Sequence, residues 1–208
     1  MDFQGEKTMK KQSGLLITSA VIIASIGCNA KPKKQEKVAV IPGKVLIAYY
    51  SWSGNTKAAA EQIQKVTGGT LFRIKPVKAY PTAYRACVNQ AKKEIKSNFK
   101  PTLAGKVKDF DKYDVIFIGS PNWCGTMAPP VATFLTTYSL KGKTIVPFFT
   151  NGGGGMQRCE TDVNKLCTQA GAILKAATFN GKSVKRSGKE VAKWAKSCVN
   201  LKKQDKVK

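Results

Sequence analysis

The sequence predicts a doubly wound α/β domain, one parallel sheet with helices on both of its faces. Three observations predict it. Its strand-like runs are apolar at successive positions rather than alternate ones, as in strands buried on both sides. Five such runs alternate with five segments of helical period, the order that builds parallel strands joined by right-handed crossovers. Three loops of unusual composition leave strand carboxyl ends, all on the one sheet edge where ligands of such folds bind.

The first strand is Lys44–Tyr50 (KVLIAYY), which runs straight into Ser51-Trp52-Ser53-Gly54-Asn55-Thr56. A helix from Lys57 to about Val66 follows, with Ala58, Ala59, Ile63 and Val66 on one side and Gly68-Gly69 to stop it. A short second strand spans Thr70 to Lys75, Pro76 and Pro81 punctuate a loop, and Thr82 to Ser97 is helical in period. The third strand, Tyr113–Gly119, leads into Ser120-Pro121-Asn122-Trp123-Cys124-Gly125 and a helix from about Ala128 to Tyr138. After a turn at Gly142-Lys143, strand Thr144–Phe149 empties into Thr150-Asn151-Gly152-Gly153-Gly154-Gly155, then a helix from about Met156 to Ala170. A last strand spans Ala172 to Phe179. Val191, Trp194, Ala195 and Cys198 then give the tail from Ser187 to Leu201 an apolar helical stripe that docks on the sheet.

The first loop carries the chemistry. Ser51–Thr56 offers three hydroxyls, one side-chain amide, a glycine and the free N–H groups that open a helix, a donor set that grips phosphate without any fixed charge. A plain helix cap is the alternative, but a cap needs one such residue and this loop has four in six. The loop is neither a Walker A motif nor a Gly-x-Gly-x-x-Gly turn. The first strand carries no acidic residue, which excludes a phosphorylated receiver domain on the same fold class.

Composition narrows the rest. The 208 residues suit one domain behind a targeting segment, and 36 Lys+Arg against 12 Asp+Glu give a net charge of +24. No nucleic-acid motif or basic–aromatic alternation accompanies that charge, so no nucleic acid partner is expected and the surface reads as solvated or as facing anionic partners. There is no His, which removes His-based triads, the commonest general base and most zinc sites.

The N-terminus reads as an address. Lys10-Lys11 precede the apolar run Leu15–Ala24, too short to span a bilayer, and small residues lead to Gly27-Cys28. Residues 1–27 resemble a bacterial lipoprotein signal that leaves Cys28 lipidated, although Ser25 stands where a Leu is usual and an ordinary cleaved signal is the alternative. Residues 28–43 are a polar, basic tether, 44–202 the folded domain and 203–208 a basic tail. The expected location is the cell envelope of a bacterium, with the membrane held through the N-terminal lipid.

From Lys44 to Gly181 the order of motifs resembles the flavodoxin family. KVLIAYYSWSGNT looks like its phosphate signature, and Tyr113–Gly125 and Thr150–Gly155 look like the two loops that hold the flavin ring. The resemblance implies a flavodoxin-like five-stranded parallel sheet, order 2-1-3-4-5, with FMN at the switch point; flavodoxin is itself the standard illustration of that rule. It implies that Ser51, Trp52, Ser53, Gly54, Asn55 and Thr56 hold the FMN phosphate. Pro121, Asn122, Trp123, Cys124 and Gly125 would line one side of the ring, with Trp123 stacking and Gly125 facing the flavin N5. Thr150, Asn151, Gly152, Gly153 and Gly154 would meet its pyrimidine edge. Relatives often carry a second aromatic where Cys124 stands. Trp123 as a core aromatic and the glycine run as a flexible loop are the alternatives to these roles.

The implied function is an electron carrier working with redox partner proteins or small electron acceptors. An FMN-dependent NAD(P)H:quinone or nitro reductase on the same fold is the enzymatic alternative, and a membrane-anchored adaptor without cofactor is a third. A basic surface favours negative charge on reduced flavin, so a less negative potential for the second electron is expected. Beyond Cys28, the odd set Cys87, Cys124, Cys159, Cys167 and Cys198 leaves at least one thiol unpaired within the chain. Cys159 and Cys167 lie about 12 Å apart along one predicted helix, too far for a disulfide.

Overall fold

A computed structural model describes residues 44–186 and 188–204, with side chains described as far as Cys198. The signal at 1–27, Cys28 and the tether at 28–43 lie outside the described residues, as does the chain beyond Gln204. The elements are β1 (Val45–Tyr49), α1 (Asn55–Thr67), β2 (Thr70–Arg73), α2 (Tyr84–Lys96), β3 (Val115–Trp123), β4 (Thr126–Met127), α3 (Pro129–Thr137), β5 (Thr144–Asn151), α4 (Cys159–Leu166), β6 (Ala172–Ile173), β7 (Ala177–Asn180), α5 (Gly181–Arg186) and α6 (Lys189–Gln204). The sheet runs β2-β1-β3-β5, with β6 and β7 both on the outer side of β5. All pairs are parallel except β3–β4. This is the expected 2-1-3-4-5 order, with its fifth strand in two pieces.

The unbroken apolar runs are explained by two cores. Leu46, Ala48, Ile116, Ile118, Ile145 and Phe149 pack with Cys87, Val131, Phe134 and Val163 of α2, α3 and α4. The alternate positions Val45, Ile47, Tyr49, Val115, Phe117, Val146 and Phe148 pack with Ala59, Ile63, Val184, Val191 and Ala195 of α1, α5 and α6. Successive strand residues point to opposite faces, so both must be apolar when helices cover both. The strands also approach tightly: a Cβ on Gly119 would lie 2.2 Å from the Phe148 ring. At the end of α1, Gly68 is left-handed (φ 67°) and returns its N–H to Gln64 O at 2.8 Å.

Three expectations are corrected and one element is added. The single last strand is broken: Ile145 pairs with Ile173 but Phe148 with Ala177, one residue more on the outer strand. Its cause lies in β5. Ile145 O accepts from Leu174 N, so residue 147 turns its backbone to the same side, and that residue is Pro147, which has no N–H to offer. The freed N–H of Ala176 goes instead to Glu160 Oε1 at 2.8 Å. The third strand does not stop at Gly119 but continues to Trp123 and folds back as β4. The helix expected over 156–170 is confined to Cys159–Leu166; its start is delayed because Gly155 (φ 68°) and Gln157 (φ 49°) are left-handed. Between the last strand and the tail, where the sequence reading assigns no element, the chain forms α5, with Asn180 Oδ1 accepting from Lys182 N at 3.0 Å.

Candidate functional site

The loop after β1 leaves its donors open. Gly54 stands at the N-cap of α1 in a left-handed conformation (φ 87°), so it suits glycine and supplies no side chain to cap the helix. No acidic residue occupies the first turn. Ser51 is buried (4% exposed), and its Oγ has no hydrogen-bond partner. A buried hydroxyl without a partner is costly, and among the described side chains it is the one such atom. Thr56, equally buried, shares a hydrogen bond with Thr150 Oγ1 at 2.8 Å, which ties this loop to the end of β5. Trp52 is fixed by its indole Nε1, which donates to Pro81 O at 3.0 Å. Two cations back the loop from outside: Arg73 Nη2 donates to Ser51 O (3.3 Å) and Lys185 Nζ to Ser53 O (2.8 Å).

The loop after β3 is a tight hairpin. Trp123 pairs with Thr126, leaving Cys124 (φ 52°) and Gly125 (φ 90°) as its two central residues, both left-handed as a type I′ turn demands. Asn122 staples it, accepting from Gly125 N (3.0 Å) and donating to Gly155 O (2.8 Å) on the neighbouring loop. The Trp123 ring meets Tyr50 (5.4 Å, 82°) and Tyr80 (4.9 Å, 77°) edge to face. Tyr80 donates its hydroxyl to Glu94, and burial with that contact holds its phenol far above the usual range.

The loop after β5 turns on glycine, with φ of 131° at Gly153 and 68° at Gly155. Asn151 anchors its start, accepting from Gly153 N (2.8 Å) and donating to Thr178 Oγ1 (2.9 Å).

The three loops meet around one cleft of about 380 Å³ at the carboxyl ends of β1, β3 and β5. Trp52, Ser53, Asn55, Pro121, Asn122, Trp123, Cys124, Thr150, Asn151 and Gly152 line it. The other six expected residues are not among those that line it. Ser51, Gly54 and Thr56 shape the first loop, and Gly153 and Gly154 continue the third. Gly125 has both backbone groups engaged, its N–H by Asn122 and its C=O by Arg158 N at 2.9 Å. The far wall, which sequence reasoning missed, is the start of α2: Tyr84, Cys87, Val88 and Ala91, one helical face. The spacing that puts these residues on one helical face is visible in the sequence, but not that the face meets the cleft; Tyr84 is 71% exposed.

No carboxylate lies on the three loops, from 51 to 54, 121 to 125 or 150 to 155. All five described cysteines are free thiols. Burial pushes Cys159 up to about 12 and Cys167 and Cys198 up to about 11, so these three are protonated packing residues. Cys124 alone is exposed, at the cleft rim.

Comparison with known proteins gives four findings. A family model described as flavodoxin matches residues 44–198. Among solved structures, one from Bacteroides uniformis described as a flavoprotein is 29% identical, with a TM-score of 0.66 over 74% of this chain and 98% of that one. A flavoprotein in complex with FMN from Lactobacillus acidophilus is 28% identical, with a TM-score of 0.58 over 70% of this chain and 99% of that one. A curated relative from Cupriavidus metallidurans, named NAD(P)H dehydrogenase (quinone), is 35% identical over 95 residues, 44% of this chain and 45% of that protein. The match therefore spans less than half the length of that relative.

Proposed function

The chain belongs to the flavodoxin family, whose cofactor is FMN, and from that membership we propose that it is an electron carrier exchanging electrons with partner proteins or small acceptors. It is an FMN-binding flavoprotein with a flavodoxin-like sheet. One observation carries the placement of the cofactor: three uncharged loops converge on the cleft beside a helix start with no side-chain cap and a buried Ser51 hydroxyl with no partner. That donor set fits a phosphate, since an anion satisfies orphan N–H groups and gains from the helix dipole.

Ser51, Ser53, Asn55 and Thr56, with the N–H groups around Gly54, would hold the phosphate. Trp52 and Trp123 wall the cleft that takes the ring, and Asn151 and Gly152 offer it backbone polar groups. The flavin supplies the redox chemistry when bound. The chain's part is to bind and orient it, to exclude water with the α2 wall, and to keep carboxylates away from it. With Arg73 and Lys185 nearby, added negative charge on the bound group is favoured, so the second electron should enter at a less negative potential than in an acidic carrier. Salt screens such fields over about 8 Å at physiological strength, so raising it should narrow the difference in a redox titration. The reading is tested by an absorbance spectrum of purified protein, which should show bound flavin that bleaches on stepwise reduction. Colourless protein that refuses micromolar FMN would refute it.

The relative from Cupriavidus supports a second reading, an FMN-dependent NAD(P)H:quinone reductase on the same fold. NAD(P)H oxidation by purified protein in the presence of a quinone would favour it over the carrier.

Lys10-Lys11, the apolar run and Gly27-Cys28 support export and attachment to a membrane by lipid on Cys28. Cys28→Ser should release the protein from membranes; retention of the variant would remove the lipid from this reading.

A further inference from the structure

The geometry points to Lys185 as a residue that makes this site select the phosphorylated flavin over riboflavin, acting on the phosphate loop from behind. This inference rests on FMN binding in the cleft and adds to it a residue that no part of the loop motif contains.

Gly181 opens α5 against the start of α1. A Cβ there would lie 2.1 Å from Asn55 Nδ2, so the absence of a side chain allows the two helix starts to touch. One turn later on the same face of α5 comes Lys185, whose Nζ donates to Ser53 O at 2.8 Å. It also lies 3.8 Å from where a Cβ on Gly54 would stand. Arg73, at the end of β2, does the same to Ser51 O from another side at 3.3 Å. Two elements far apart in sequence thus place a cation on alternate carbonyls of one short loop.

A trans peptide points its C=O and the following N–H in opposite directions. Cations that hold the Ser51 and Ser53 carbonyls outward therefore turn the Trp52 and Gly54 N–H groups away from themselves. A charged donor on the carbonyl also polarises the N–H at the other end of the same peptide. Lys185 in this way both orients Gly54 N–H and adds a positive field at the helix start, where a phosphate gains and a ribityl hydroxyl does not. Because Lys185 is exposed, its field is open to screening by salt.

The test titrates the flavin-stripped full chain with FMN and with riboflavin, following flavin fluorescence at low and high salt. Lys185→Gln should weaken FMN about fivefold, the scale of one exposed charge contact, and riboflavin less than twofold. It should also flatten the salt dependence of FMN binding, and Lys185→Arg should restore both. Equal losses for the two flavins would mean that Lys185 only supports the fold, and unchanged FMN affinity would mean that it does nothing; either overturns the inference. Wild-type protein that binds neither flavin would instead overturn the assignment of the cleft.

Discussion

The two edges of the sheet are built to opposite ends. At the amino edge, polar groups close on one another. Asp114 accepts from Lys44 N at 2.9 Å, Lys112 pairs with Asp109, and buried Lys143 spends its ammonium on Asp111 O (3.1 Å) and Tyr113 O (2.7 Å). At the carboxyl edge, Ser51 Oγ has no partner, α1 has no side-chain cap, and two cations hold carbonyls of an otherwise uncharged loop. Both edges hold lysines on backbone carbonyls, yet only one leaves donors unspent. The difference teaches that binding is marked here by incomplete satisfaction more than by charge.

That contrast can be broken from either side. The largest effect is expected at the closed edge. Lys143→Met strips two carbonyls of their donor and should cost about 3 kcal/mol of stability in a urea unfolding curve, while the folded variant keeps its FMN affinity. Thr150→Val cuts the tie to Thr56 and should cost about 1 kcal/mol in the same assay and also weaken FMN, since it loosens the first loop. Ser51→Ala separates the edges most sharply. Losing a hydroxyl that has no partner should leave the apoprotein as stable or slightly more so, while FMN affinity falls about fivefold, roughly 1 kcal/mol of lost hydrogen bond. A destabilised S51A apoprotein with unchanged FMN affinity would erase the distinction.

The smallest effect at ordinary pH concerns neither edge. Cys159, Cys167 and Cys198 are raised in the fold from an ordinary 9.0 to about 12, 11 and 11. The folded chain then holds protons that the unfolded chain releases, so stability is unaffected below pH 9 and falls as pH rises from 9 toward 11. Cys159→Ala should flatten that fall in unfolding curves taken across the range, and an unaltered slope would mean that the thiol ionises freely in the fold.

The buried strands and the first loop were legible because local composition decides them. KVLIAYY admits little but a strand covered on both faces, and four polar residues in six exceed what a cap requires. What escaped was set by neighbours. The hairpin at Cys124-Gly125 needs two left-handed residues in a row, and only the glycine announces one. The break in the fifth strand is caused by Pro147 on the strand beside it, a signal visible in the sequence but assignable only once the pairing is known. Lys185 meets Ser53 across 132 positions of chain, and among the basic residues around it nothing local sets it apart. The α2 wall was read correctly as helix, but only the sheet order brings Tyr84 and Cys87 to the cleft.

The most direct test follows the backbone amide signals of isotope-labelled apoprotein by NMR as FMN is added. The prediction is that Trp52, Ser53, Gly54, Asn55 and Thr56 shift most, with Asn122 and Gly152 next, while Asp109–Tyr113 at the opposite edge stay in place. If FMN binds and its largest shifts fall away from the Ser51–Thr56 loop, that loop is not the phosphate site.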